Sequence, residues 1–137
     1  MEISYRIGND LDLSEVIDLY KTLTLGERRP VEDRECMAQM INSANLVITA
    51  WDGDLLVGIS RSLTDYCYVA YLSDLAVRSS NQRRGIGKAL MTRTQAELGP
   101  HAKIVLLAAP EAREYYPHVG FSRHDSAWVL AASERIR

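Results

Sequence analysis

A chain of 137 residues, 47% of them apolar, is long enough for one domain (1–137) with a real core, which excludes wholesale disorder. Its formal net charge of −2, from 16 basic and 18 acidic residues, excludes a global basic field for nucleic acid, so any phosphate binding must be local. Cys36 and Cys67 lack CxxC spacing, the N-terminal MEISYRIGNDLDLS lacks a signal-peptide layout, and no apolar run approaches the ~20 residues that span a bilayer, so a cytoplasmic protein with no metal, disulfide or membrane partner is expected.

Ile3, Tyr5 and Ile7 alternate with polar residues, the period of a strand. Asp12, three residues before Glu15, starts a helix carrying Leu13, Val16, Ile17, Tyr20 and Leu23, roughly twelve residues long. Gly26 and Pro30 break it, and a second helix begins near Glu32-Asp33 with Cys36, Met37, Met40, Ile41 and Ala44 on its apolar side. Leu46 to Trp51 and Leu55 to Ile59 flank Asp52-Gly53, a hairpin signal. Tyr66 to Val77 is a long strand interrupted at Ser73-Asp74. A third helix runs from Gly85 to Leu98 and stops at Gly99-Pro100. Ile104 to Leu107 is an apolar run after a helix, which predicts parallel pairing with the strand before it. Pro110 opens a fourth helix, Glu111 to His118, and Ala127 to Ala131 is expected to close the sheet.

The stretch Leu75 to Leu90 stands out in this order. A strand end, Leu75-Ala76-Val77, gives way through a polar turn to Gln82-Arg83-Arg84-Gly85-Ile86-Gly87-Lys88 and then to a helix. Free backbone N–H groups at a helix N-terminus suit phosphate oxygens, and glycines let a ligand approach the main chain. Two nucleotide motifs fail here. A dinucleotide fingerprint needs a glycine where Leu90 stands, and a P-loop needs a glycine at Gln82 and a hydroxyl at Ala89.

What remains is Q-x-x-G-x-G opening a helix behind a long strand. It resembles the core motif of the GCN5-related N-acetyltransferase (GNAT) family, Q/R-x-x-G-x-G/A, at Gln82-Arg83-Arg84-Gly85-Ile86-Gly87. Ala112 to Phe121, AREYYPHVGF, is similar to the family's A-x-x-F/Y-Y-x-x-x-G-F. The resemblance covers nearly the whole chain. It implies an α/β fold with a GNAT-type mixed, mostly antiparallel sheet of 6–7 strands, about four helices and the order β-α-α-β-β-β-α-β-α-β. It also implies acetyl-CoA as co-substrate and transfer of its acetyl group to an amine.

On that resemblance, Gln82, Arg83, Arg84, Gly85, Ile86, Gly87 and Lys88 hold the pyrophosphate of coenzyme A. The backbone of Leu75, Ala76 and Val77, where the strand splays from its neighbour, takes the pantetheine arm and polarises the thioester carbonyl. Tyr116 is the general acid. Asp74, Asp65, Tyr66 and His118 are candidate bases. The sequence departs from the family at Ala108-Ala109-Pro110-Glu111, which lacks the asparagine often found there.

The resemblance further implies that the acceptor is shaped by the loop between the first two helices and by a late hairpin, here Leu25 to Asp33 and Phe121 to Trp128. Arg28-Arg29 is either a solvated loop or a contact for an acidic group on the substrate. Cys36 and Cys67 sit in apolar patterns and read as core. An N-acetyltransferase for a small-molecule or protein amine leads the readings. A non-catalytic acyl-CoA-binding regulator on the same fold and a nucleotide-binding module are the alternatives, and a homodimer is left open.

Overall fold

The computed structural model describes residues 2–137. The chain divides into two compact units, Met1–Leu107 and Ala108–Arg137.

The first unit is a five-stranded sheet in the order β1-β2-β3-β4-β5, formed by Ile3–Ile7, Leu46–Asp52, Leu55–Thr64, Val69–Val77 and Lys103–Val105. The first four strands pair antiparallel. β5 pairs parallel to β4 after a crossover through a helix, as its apolar run after a helix predicts. Helix α1, Leu13–Lys21, begins where Asp12 is extended and its carboxylate accepts the N–H groups of Ser14 (2.8 Å) and Glu15 (3.3 Å). A 3-10 turn at Thr24–Arg28 separates it from α2, Arg34–Ser43, which Asp33 caps by accepting the Cys36 N–H at 3.0 Å.

Helices α1 and α2 bury Val16, Leu19, Tyr20, Met37 and Ile41 with Leu56, Ile59 and Ala76 of the sheet. On a second core cluster, α3, Ile86–Ala96, packs Ile86 and Leu90 with Leu46, Ile48, Ala50 and Val57. Gly58 is the reason α3 can come so close. A Cβ there would stand 3.1 Å from Leu90 Cδ1, 3.2 Å from the Ala76 carbonyl oxygen and 3.3 Å from Ile86 Cγ2.

The second unit holds a 3-10 turn at Pro110–Ala112 and a single helical turn, α4, at Tyr115–His118, instead of one continuous helix from Glu111. Among the described residues it has no strand, so the sheet has five strands and not six or seven. Ala127 to Ala131 has the composition of a strand, but Trp128, Val129 and Leu130 are 91%, 68% and 51% exposed. β-propensity reflects packing on a pleated, half-buried surface, and a segment without ladder or cover does not realise it. Cys36 and Cys67 are exposed, against the core role their neighbours suggest. Among the described residues no helix is long and apolar enough to cross a membrane.

Candidate active site

The loop after β4 has the geometry its sequence anticipates, with one addition. Gly85 caps α3 in the left-handed region, at φ 78° and ψ 10°, and no side chain supplements it. A left-handed residue running into a right-handed helix turns successive N–H groups toward one point, a concavity that suits anions. The N–H groups of Ile86, Gly87 and Lys88 precede the first bond of the helix, from the Ala89 N–H to the Gly85 oxygen at 3.0 Å. Arg83 is also left-handed, at φ 66°, a strain the sequence does not announce. Gly87 is not left-handed, so backbone conformation does not account for it. Arg83, Arg84 and Lys88 are exposed. Gln82 does not point to solvent alone: its Nε2 donates to the Val77 oxygen at 2.9 Å and ties the loop to the end of β4.

β4 parts from β5 before that end. The two strands are paired at Val69, Ala70 and Tyr71 only, while β4 runs on to Val77. Which backbone groups face the opened edge follows from a bulge. Arg61 pairs with Asp74 and Ser62 with Leu72, so Ser73 is an extra residue on β4. Before the bulge, even-numbered residues face β5, since the Lys103 N–H donates to the Tyr68 oxygen at 3.1 Å. After it, even-numbered residues face β3, since the Arg78 N–H donates to the Val57 oxygen at 2.7 Å. Backbone direction alternates along a strand, so the N–H groups of Leu75 and Val77 face the opened edge and that of Ala76 faces β3. The Leu75 and Val77 side chains pack against the α3-side core.

Asp74 is not placed to act as a base. Its side chain is fully buried. Oδ2 accepts from Arg61 Nε at 2.6 Å and from the Tyr20 hydroxyl at 2.7 Å, and Oδ1 accepts from Arg29 Nε at 2.7 Å. Burial alone would raise its pKa, but the hydrogen bonds and charges of Arg61, Tyr20 and Arg29 outweigh it and hold the carboxyl below its usual range. Burial, then the Asp74 charge, push the Tyr20 phenol well above its usual range. Arg29 is therefore a partner of Asp74 and neither a solvated loop residue nor a free contact for substrate.

Asp65 also has structural work. It accepts the N–H groups of Tyr68, Val69 and Cys67, which lower its pKa and hold the turn before β4. Tyr66 donates its hydroxyl to the Asn45 oxygen. His118 is exposed at the end of α4. Arg61 and Tyr20 were not singled out by the sequence pattern. The available signal was a lone arginine inside an apolar strand and a lone aspartate inside another.

Tyr116 lies in the second unit, on α4. Its ring meets Tyr115 and Phe121 edge-to-face, at centroid distances of 5.4 and 5.5 Å. Burial, then the Tyr115 charge, raise the pKa of its phenol, which keeps it protonated at neutral pH. In the first unit, a cavity of about 300 Å³ is lined by Cys36, Gln39, Met40, Ser43, Arg61 and Leu63, and none of these belongs to the loop or the opened strand. Among the described residues no group of three or more His, Cys, Asp or Glu could hold a metal.

A model of the acetyltransferase (GNAT) domain matches residues 26–131. Among curated protein sequences none matches significantly. The fold is similar to that of a GNAT-family acetyltransferase from Streptococcus pneumoniae, with a TM-score of 0.80, 24% identity, and coverage of 97% of this chain and 100% of that one. A GNAT-family protein from Xanthomonas campestris gives 0.77 and 22%, covering 96% and 94%. An aminoglycoside N-acetyltransferase in complex with CoA gives 0.71 and 17%, covering 96% and 95%.

Proposed function

The chain belongs to the acetyltransferase (GNAT) domain family, and from that premise we propose that it transfers an acetyl group from acetyl-CoA to a primary amine of a small molecule or protein. The observation that carries this reading is the stretch of β4 that leaves β5 after Tyr71 and leads into the N-terminus of α3, which no side chain caps. An extended, polar arm fits along a strand edge with free N–H groups, and a pyrophosphate fits at a helix start. The structurally similar aminoglycoside N-acetyltransferase binds CoA, which supports the same donor here.

Acetyl-CoA supplies the thioester whose carbonyl carbon the amine attacks. The N–H groups of Ile86, Gly87 and Lys88, with the charges of Arg83, Arg84 and Lys88, hold the pyrophosphate. Gln82 keeps that loop against the strand through Val77. The N–H groups of Leu75 and Val77 lie about 7 Å apart along the extended strand, so one of them donates to the carbonyl oxygen as negative charge develops on it and the other holds the pantetheine arm. As the carbon–sulfur bond breaks, Tyr116 gives its phenolic proton to the leaving thiolate. The amine nitrogen loses a proton as the amide forms. With Asp74, Asp65 and the Tyr66 hydroxyl committed to structural contacts, that proton goes to water, to exposed His118 or to the phenolate left on Tyr116.

A thermal shift with acetyl-CoA and none with ATP is expected, followed by thiol release over a panel of amines. If acetyl-CoA binds but no amine accelerates thiol release, the protein is a non-catalytic acyl-CoA-binding regulator. Tyr116→Phe should lower kcat by about 100-fold with little change in the affinity for CoA. The wild-type rate that depends on this acid should hold through neutral pH and fall only above ~10, because the phenol is raised from its ordinary value. Unchanged turnover in Tyr116→Phe removes Tyr116 from the mechanism.

A further inference from the structure

We infer that Arg29 and Arg61, joined through Asp74, are positioning residues that lock the Ser73 bulge and so determine which N–H groups of β4 face the opened edge. The inference rests on the acetyl-transfer reading, since that reading gives the Leu75 and Val77 N–H groups their task.

The direction of those groups depends on one extra residue. Tyr68 faces β5 and Arg78 faces β3, yet both numbers are even, so the alternation is broken once between them. Without Ser73 as an extra residue, Leu75 and Val77 would spend their N–H groups on β3, and Ala76 would face the opened edge. A bulge disrupts the ladder and leaves backbone groups to be satisfied by other means. Here Arg29 satisfies one of them, the Ser73 carbonyl, and Arg61 holds the side chains of the same two residues. An Arg29 Nη2 donates to the Ser73 oxygen at 2.8 Å, while Nε of the same guanidinium binds Asp74 at 2.7 Å. From across the ladder, Arg61 Nη2 donates to Ser73 Oγ at 2.9 Å and its Nε to Asp74 at 2.6 Å. Each arginine therefore grips both residues at the bulge. The planar fork of a guanidinium makes such paired contacts, and a lysine ammonium cannot copy them.

Both elements are anchored. Arg61 Nη1 also donates to the Met40 oxygen of α2 at 3.2 Å, and Tyr20 of α1 completes the Asp74 carboxylate at 2.7 Å. Arg29 immediately follows the 3-10 turn between α1 and α2. The connection between the first two helices is thereby tied to the register of the strand, within one unit of the molecule.

Amide hydrogen exchange and kinetics on Arg29→Ala test this together. In the wild type, the amides of Asp74 and Ala76 should exchange slowly and those of Leu75 and Val77 quickly. In Arg29→Ala that contrast should collapse. Turnover should fall about tenfold to a hundredfold while CoA affinity stays within about twofold, since a small misplacement of groups at the reacting centre acts on kcat. Arg29→Lys should keep the charge and recover only part of the rate. If Arg29→Ala does not fold, Arg29→Lys is read for the same two changes. A folded variant that keeps both the exchange pattern and the turnover overturns the clamp. So does a proportional loss of CoA affinity and turnover, which would make Arg29 a general structural residue. A wild type that binds no acetyl-CoA overturns the underlying reading instead, and the exchange pattern, which needs no substrate, separates that failure from failure of the clamp.

Discussion

Arg28-Arg29 and Arg83-Arg84 are the same dipeptide, each in a short polar connection, and Arg29 of the first and Arg83 of the second meet opposite surroundings. Arg29 reaches a buried carboxylate and the carbonyl beside it. Arg83 stands exposed on a left-handed backbone, next to a helix start that no side chain caps. A cation matched to a buried anion becomes part of the framework, whereas cations gathered at unsatisfied N–H groups make a site for an external anion. The arginines do not carry that distinction. The presence of Asp74 within reach of Arg29 does.

Removing the carboxylate should produce the largest effect. Asp74→Asn leaves two guanidinium groups facing a neutral amide, and a broken buried ion pair costs about 3–5 kcal/mol, read by denaturant unfolding at pH 7. The Asp74 pKa is lowered in the folded protein, so its stabilisation is complete above the ordinary carboxylate range and is lost as pH falls through the folded-state value. The deficit of Asp74→Asn should therefore be constant near neutrality and shrink as the pH drops below ~4. A deficit that does not depend on acid pH would show that Asp74 is not ionised in the cluster.

On the other side of the comparison, Gly85→Ala should cost about 1–2 kcal/mol of stability or an equivalent loss of CoA affinity, because φ 78° is unfavourable for a Cβ. Nothing lies within 4 Å of the added atom, so the cost is backbone strain alone. Arg83→Ala should weaken CoA binding about three- to fivefold at low salt and less at high salt, as screening removes an exposed charge's share. Titration calorimetry at two ionic strengths reads the difference. Arg28→Ala, the exposed half of the other pair, should leave both the melting temperature and the acceptor KM unchanged. A clear rise in acceptor KM would return Arg28 to the substrate side.

Much of the architecture was legible because it is local. Asp12 caps α1 and Gly53 turns the β2–β3 hairpin with φ 60°, each through chemistry carried by one or two residues, whereas α3 ends at Ala96 with Glu97 as its cap, short of the Leu98 expected ahead of Gly99-Pro100. The interruption at Ser73-Asp74 was legible as a break in the apolar pattern. Its meaning was not, since a bulge is defined by the register against its partner strand, and that register decides that Arg61 stands opposite Asp74. Ala127 to Ala131 fails for a related reason: its composition suits a strand, but strands exist only in pairs. Cys36 and Cys67 mislead in the same way, because an apolar neighbourhood in sequence does not say which face a residue presents.

The amino-acid sequence by itself determined the element order through α3, the glycine loop that starts α3 and the family to which the chain belongs, because capping, turns and short motifs act over a few residues. Only the tertiary structure decided that Asp74 is a buried anchor, that Arg29 serves it, and that Leu75 and Val77 turn their N–H groups to the open side of β4. Those outcomes depend on strand register and on charges brought together across 45 residues of sequence between Arg29 and Asp74. Burial makes such pairing obligatory, and only the folded chain says which charges share a buried place.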